Sequence, residues 1–282
     1  MPGTLFIVAT PIGNLEDITA RALRVLREVA IIAAEDTRRT AHLLTRYGIT
    51  TPTTSLHEHN EARKAPSLIA RLQAGDSIAV VSDAGTPLIS DPGRQLIRMA
   101  IDADIRIEPI PGASAVIAAL AASGFQTHPF LFLGFPPAKG KDRKQWLAVL
   151  SATHVTAVFF ESPHRIRRTL AEIADAIGDV PAVVARELTK IHESLVRGPI
   201  SRLSTDTSLE TGELTVVLDL GQLAESRPVA APNAGDLVTE LGQLTDSGQI
   251  TTRRAVRQLA RKHGRRPNEV YELIERARRL VK

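Results

Sequence analysis

The stretch VVSDAGTPLISDPG (80–93) decides how this chain is read. It leaves an apolar run, IAVVSD (78–83), and passes two Asp, two Gly and two Pro before the helical pattern RQLIRMAI (94–101). Gly85 permits a positive φ, Pro87 stiffens the turn, and Asp91 or Pro92 opens the following helix. Strand-to-helix connections usually take about 2–6 residues. This one is longer, and it offers backbone N–H and C=O groups to a ligand that approaches closely. PIPGAS (109–114) repeats the device after the next apolar run, IRIEPI (105–110). Two adjacent Gly-containing strand ends imply a pocket for a small cofactor, whose identity the residues alone leave open.

Outward from that stretch, apolar runs alternate with helical patterns. LFIVAT (5–10), IIAAED (31–36) and TTSLHE (53–58) read as strands; 18–30, 37–48, a segment ending near 74, 94–101 and 113–123 read as helices. Strands that are apolar throughout, separated by helices, predict a parallel sheet covered on both faces. Beyond residue 123 the rhythm changes. FLFLGF (130–135), TAVFFES (156–162), VPAVVARE (180–187) and GELTVVLDL (212–220) read as strands, PPAKGKDRKQW (136–146) as a polar loop, and 163–177 as helical. The expected organisation is α/β: an N-terminal domain over 1–125, a second α/β domain over 126–221, a Pro- and Ala-rich linker over 222–235, and a basic helical domain over 236–282. In that last domain, TRRAVRQLARKHG (252–264) and RPNEVYELIERARRL (266–280) resemble a helix-turn-helix.

Composition narrows the classes. Of 282 residues, 43% are hydrophobic and 23% charged, a globular balance, and the absence of Cys excludes disulfides and thiolate metal sites. The N-terminus lacks a basic n-region and no run of 18 apolar residues occurs, so neither a signal peptide nor a membrane span is expected, and the location is expected to be cytoplasmic. The net charge of +4 is uneven: residues 251–282 hold 11 Lys and Arg against 3 Glu, leaving 24 bases and 28 acids elsewhere. A basic end on a mildly acidic body points to a polyanionic partner, with a solvated basic helix as the plainer alternative.

Each strand end is a place for a ligand. ATPIGNLED (9–17) lacks the dinucleotide-binding glycine pattern, and no phosphate-cradling P-loop sequence occurs. Glu35 and Asp36 end the second strand, where a ribose-binding acid would sit, and Asp36 is equally well placed as a helix N-cap. His57 and His59, read on a strand with Glu58 opposite, have no further ligand cluster, so no metal is expected.

Eight segments in order carry a specific resemblance: VATPIGNLEDIT (8–19), AEDTRRTAHLL (34–44), HEHNE (57–61), VSDAGTPLISDPG (81–93), IPGASA (110–115), FFESPHRI (159–166), ARELTKIHE (185–193) and GELTVVL (212–218). The sequence resembles the tetrapyrrole-methylase-like family of S-adenosylmethionine (SAM) methyltransferases over nearly its whole length. Within that family it is most similar to members that methylate a cytidine 2′-hydroxyl in the decoding region of 16S ribosomal RNA in the small subunit. The resemblance implies two α/β domains with SAM in the cleft between them, and a homodimer. It places Asp83, Ala84, Gly85 and Thr86 on the methionine part, largely through backbone, with Ala113 and Ser114 beside it. It places Pro11 and Gly13 in the loop lining the cleft, and Phe160, Gly212 and Leu214 against adenine.

Methyl transfer to a hydroxyl also requires a proton acceptor or a positioning charge. Lys190, Glu193 and Glu187 in RELTKIHE are the expected catalytic groups, with Lys190 and Glu193 placing each other; Glu161, His164, His192, Glu35 and Asp36 are further candidates. Arg38 and Arg165 are expected on phosphates, as are Lys139, Lys141, Arg143 and Lys144, and Arg253, Arg254, Arg257 and Arg261 in the tail. Methylation of a small tetrapyrrole, or nucleic-acid binding without catalysis, are the alternatives. The basic clusters argue against the first, and SAM binding would separate the second.

Overall fold

The computed structural model describes residues 1–221, 234–245, 251–262 and 267–280. The chain forms two compact units, Met1–Leu220 and Gly221–Lys282.

The first unit holds two five-stranded sheets. Strands β1 (Leu5–Val8), β2 (Ile31–Ala34), β3 (Thr53–Ser55), β4 (Ile78–Val81) and β5 (Ile107–Ile110) are all parallel, in the order β3-β2-β4-β1-β5. Helices α1 (Ala20–Glu28), α2 (Thr37–Arg46), α3 (Glu61–Gln73) and α4 (Arg94–Asp102) cover its faces. Successive strand residues point to opposite faces. Leu5, Ile7, Ile78 and Val80 therefore meet Leu68 and Leu72 of α3 and Leu96 of α4, while Val8, Ala79, Val81 and Ile110 meet Val25 and Leu26 of α1 and Leu44 of α2. Burial on both faces is why β1, β2 and β4 read as unbroken apolar runs, whereas the edge strands β3 and β5 are largely less buried.

Helix starts follow two different rules. Asp36 caps α2 as expected, its carboxylate accepting the Arg38 N–H at 2.8 Å. The helix after 80–93 starts at Arg94 rather than at Asp91 or Pro92; its cap is Gly93, at φ +118°, with no side chain to accept a hydrogen bond. The buried Glu61 carboxylate supplies what Gly93 cannot, accepting the Gly93 N–H at 3.1 Å and the Leu96 N–H at 2.9 Å. A negative charge there also complements the helix dipole. This gives HEHNE (57–61) a structural purpose. His57 and His59 sit beyond the end of β3, in the turn leading to α3, with their rings edge-on and 6.1 Å apart, so the expected strand stops short of them.

The second sheet is mixed. Its order is β6 (Phe130–Phe132), β7 (Thr156–Glu161), β10 (Leu214–Leu218), β8 (Pro181–Arg186) and β9 (Ser194–Pro199), with β6 and β7 parallel and the remaining pairs antiparallel. Helices α6 (Gly140–Ser151), α7 (Ile166–Ile177) and the short α8 (Ile200–Leu203) accompany it. Helix α5 (Ala115–Ser123) follows β5 of the first sheet yet buries Val116, Ala119 and Leu120 against Val158, Val183 and Val217 of the second. The expected polar loop over 136–146 is largely helix α6, with Arg143, Trp146 and Leu150 on its buried side.

The second unit consists of α9 (Ala234–Thr245), α10 (Thr252–Lys262) and α11 (Pro267–Leu280). Leu237 and Leu241, then Ala255, Val256 and Leu259, then Val270 and Ile274 share one apolar core. Three helices thus pack where the sequence pattern showed two; the expected turn around Gly264 and residues 222–233 of the linker expected over 222–235 lie outside the described residues, while Ala234 and Gly235 already belong to α9.

Replacing Glu61 by Ala should leave two buried N–H donors unpaired. The expected loss is about 2–3 kcal/mol of stability, read from urea unfolding; an unchanged midpoint would show the cap to be idle.

Candidate active site

The carboxyl ends of β1 and β4 continue beyond the sheet and are tied together. The Thr10 N–H donates to Gly85 O at 2.9 Å and the Gly85 N–H donates to Thr10 O at 3.0 Å. The Thr10 hydroxyl donates to Ser82 O at 3.2 Å, and the Thr86 hydroxyl to Ala113 O at 3.3 Å, which brings in the end of β5. Gly85 holds φ at +78°, as its composition allows; Leu88 (+75°) and Ser90 (+72°) hold the same region without that freedom. Such residues cost about 1–3 kcal/mol each and persist where surrounding structure over-determines them, commonly at functional sites.

Beside these strand ends lies a cavity of about 370 Å³. One wall is the 84–91 turn with Ile12; Ser114, Ala115 and Val116 enter from the start of α5; the opposite wall is Phe135, Phe160–Pro163, Leu188 and 212–215. Seven of the expected cofactor residues line it: Ala84, Gly85, Thr86, Ser114, Phe160, Gly212 and Leu214. The other four act around it. Pro11 is buried, and the Ala113 carbonyl accepts from Thr86. Asp83 faces α2, accepting the Asp36 N–H at 3.0 Å and standing 3.5 Å from Arg39. Gly13 lies at a separate open depression with Lys190 and Ile191. Within the turn, the Gly85 N–H and C=O are both taken by Thr10.

Gly13 has a different task. A Cβ there would fall 2.5 Å from Lys190 Cγ and 2.9 Å from Leu188 O. With the Asn14 N–H donating to Thr189 Oγ1 at 2.9 Å, this close approach docks the loop after β1 onto the loop after β8. That second loop is also strained, with Glu187 at φ +52° and Thr189 at +67°. Lys190 pairs with Glu187 at 2.9 Å and Glu213 at 3.1 Å, while Glu193 accepts the Thr189 N–H at 2.6 Å. The expected Lys190–Glu193 pair is therefore replaced by two separate locks on one loop. The Glu213 N–H, and then Lys190, hold the Glu187 carboxyl below its usual range. Burial works against the Lys190 ammonium, but its bonds to Glu187 and Glu213 outweigh it and hold the pKa above the ordinary value. Lys190 is thus a fixed cation.

The three ionisable residues on the cavity wall differ sharply. Glu161 is buried and committed: it accepts from the Ser162 N–H, the Thr169 hydroxyl and the Arg165 guanidinium. Glu213 is exposed and pairs with Lys190. Asp91 is half-buried with no cation beside it among the described residues; burial pushes its carboxyl up to about 6. The sequence offered Asp91 only as a helix opener, and nothing in its spacing pointed it at a cavity whose opposite wall begins at Phe135.

The expected phosphate-binding residues divide. Lys139, Lys141 and Lys144 are exposed at or on α6. Arg143 is corrected to a structural role: it is buried, donates to the Glu172 carboxylate at 2.6 Å, to Pro137 O and to the Thr169 hydroxyl. Arg165 is held by Glu161 at 2.6 Å, and Arg38, although exposed, forms a two-pronged pair with Asp36. Arg38 thereby draws the Asp36 carboxyl down to about 2. In the second unit Arg254 and Arg257 are exposed on α10, to which Arg253 and Arg261 also belong.

Residues 4–204 match the family model described as Tetrapyrrole (Corrin/Porphyrin) Methylases. The chain belongs to this methyltransferase family. A ribosomal RNA small subunit methyltransferase I from Pseudomonas aeruginosa is 48% identical over 221 residues, 77% of this chain and 78% of that protein. One from Escherichia coli O157:H7 is 42% identical over 275 residues, 96% of this chain and 94% of that protein. Among solved structures, a diphthine synthase shares the fold at a TM-score of 0.60 and 15% identity, covering 77% of this chain and 90% of that one. A uroporphyrin-III-C-methyltransferase from Thermus thermophilus does so at 0.54 and 20%, covering 79% and 97%.

Two glycine variants separate the roles of the two loops. Gly85→Val forces a β-branched residue to φ +78° against Ile12 and should weaken SAM binding at least ~10-fold, about 1.4 kcal/mol, by calorimetry. Gly13→Ala should lower melting temperature and SAM affinity together. Parent-like affinity in a folded Gly85→Val protein would remove the 83–86 turn from the binding site.

Proposed function

We propose that this enzyme transfers a methyl group from SAM to the 2′-hydroxyl of a cytidine in the decoding region of 16S ribosomal RNA, acting on the small ribosomal subunit in the cytoplasm as a homodimer. The observation that carries this reading is the cavity at the ends of β1 and β4, walled by the segments the family resemblance assigns to the cofactor. The relatives named as rRNA small subunit methyltransferases support the substrate class.

The residues present fit SAM. The volume lies within the range of about 300–1,000 Å³ usual for small-molecule sites. Phe160, Leu214 and Val116 give the wall an apolar face suited to adenine, and Glu213 gives it an acidic edge suited to an amino group. SAM supplies a methyl group already activated on sulfur, so the chain must align the acceptor, exclude water and take up a proton. Ala84–Thr86 and Ser114 hold the donor's place, and Glu187, Lys190 and Glu193 set the loop that closes the far side, with Lys190 as a positioning charge. Lys139, Lys141, Lys144, Arg38, Arg254 and Arg257, with Arg253 and Arg261, meet phosphates and fix orientation.

The test offers labelled SAM with small subunits lacking the modification, naked 16S rRNA and a tetrapyrrole. Label on a subunit cytidine ribose is expected; label on the tetrapyrrole alone would overturn the reading. A chain ending at residue 234 should keep SAM affinity, because Met1–Leu220 is compact by itself. It should lose rRNA affinity and much of the salt dependence of that binding.

A further inference from the structure

We propose that Asp91 accepts the proton of the attacking ribose 2′-hydroxyl. This role rests on the function proposed above and deepens it.

Elimination among the cavity's own groups leads to it. Proton uptake needs an ionisable group with a free lone pair facing the reactants. Of the three such groups on the wall, Glu161 has its oxygens taken by Ser162, Thr169 and Arg165. Glu213 is paired to Lys190 at 3.1 Å. Lys190 itself is absent from the wall and holds its proton firmly. Asp91 remains, with no ion pair among the described residues.

Its surroundings suit a base that works near neutral pH. Burial raises the Asp91 carboxyl to about 6; the Ser82 hydroxyl acts against the shift, and Glu35 at the end of β2 and Asp83 at the end of β4 add to it. The charged groups around it are those two carboxylates, Arg39 on Asp83, Glu61 under the start of α4, and Glu161, Arg165 and Glu213 on the facing wall. A pKa close to ambient pH combines a mostly ionised carboxylate with useful basicity. Ser90, held at φ +72°, precedes Asp91 directly, so the carboxylate is carried on a backbone that the sheet ends hold in place.

The step balances. The 2′-O–H bond breaks and its proton passes to an Asp91 carboxylate oxygen. A lone pair on the 2′-oxygen forms the O–CH₃ bond as the S–CH₃ bond of the donor breaks, and that electron pair returns to sulfur, leaving a neutral thioether. Asp91 then releases its proton to solvent.

The raised pKa also fixes a sign. Asp91 contributes stability where it is protonated, below its ordinary value of 3.8, and that contribution is lost as pH rises through about 6. At pH 8 Asp91→Asn should therefore be at least as stable as the parent while losing activity. The experiment measures labelled methyl transfer to small subunits, SAM affinity by calorimetry, and melting temperature, for parent, Asp91→Asn and Asp91→Glu. In the unmodified protein the side-chain ¹³C shift of Asp91 is followed against pH. Expected are a turnover about 10²–10⁴-fold lower in Asp91→Asn, SAM affinity within a few-fold of the parent, a smaller loss in Asp91→Glu, and an NMR midpoint near 6. The parent's rate should rise with pH through that midpoint, a limb that Asp91→Asn lacks. A parent that methylates no subunit removes the function and this role together. A working parent with an equally active Asp91→Asn removes the role alone, as does a parallel loss of SAM affinity and turnover. If Asp91→Asn does not fold, the parent profile decides, and a rate independent of pH between about 5 and 8 overturns the proposal.

Discussion

Two backbone hydrogen bonds between Thr10 and Gly85 govern the arrangement of this site. Parallel strands end with unpaired N–H and C=O groups, and a chain that leaves such an end is normally free to turn at once into its helix. Here the segments after β1 and β4 stay paired for one further step and then diverge. That step projects the 84–91 turn away from the sheet, so that it becomes a cavity wall. Gly85, Leu88 and Ser90, all left-handed, lie on the path from this bridge to the start of α4. Glu61 then closes the route from below by taking the N–H groups that Gly93 leaves unpaired.

The opposite wall is rigid for electrostatic reasons. Glu187 accepts a backbone N–H from Glu213 and a charge-assisted bond from Lys190, and a Cβ at Gly212 would meet Glu187 Cγ at 2.5 Å. Glycine at 212 is thus what lets the carboxylate sit against the entry to β10. On the neighbouring strand, Glu161 joins Thr169, which in turn accepts from Arg143, which also binds Glu172. Pairing of this kind makes a buried charge tolerable, and it also immobilises it. The cavity is therefore bordered by charges with fixed partners on one side and, on the other, by Asp91, which has no ion-pair partner among the described residues.

Much of this was legible in the sequence. The apolar runs of β1, β2 and β4 marked the first sheet because burial on both faces demands them, and Asp36 was recognised as a cap from its place before TRRTAHLL. The turn at 84–86, Ser114, Phe160, Gly212 and Leu214 were found through ordered motifs rather than through spacing, and the structure brings them to one cavity. The errors share a cause. Lys141, Arg143 and Lys144 look alike in a row of charges, yet they lie on a helix, and its 3.6-residue period turns Arg143 inward against Glu172 while the lysines face solvent. Lys190 and Glu193 were matched by sequence distance and sign, whereas folding brings Glu213 to Lys190 from more than twenty residues away.

Composition, strand pattern and motif order thus determined the class of fold, the basic end and the family, because each depends on residues close together in the chain or on their order along it. Which carboxylate is paired and which stands free was decided only by tertiary structure. Asp91, Glu161 and Glu213 are equivalent in sequence as acids beside a turn or a strand. Their difference arises from partners contributed by other elements: Arg165 and Thr169 from the start of α7 for Glu161, Lys190 from the loop after β8 for Glu213, and for Asp91 a half-buried position beside two further carboxylates.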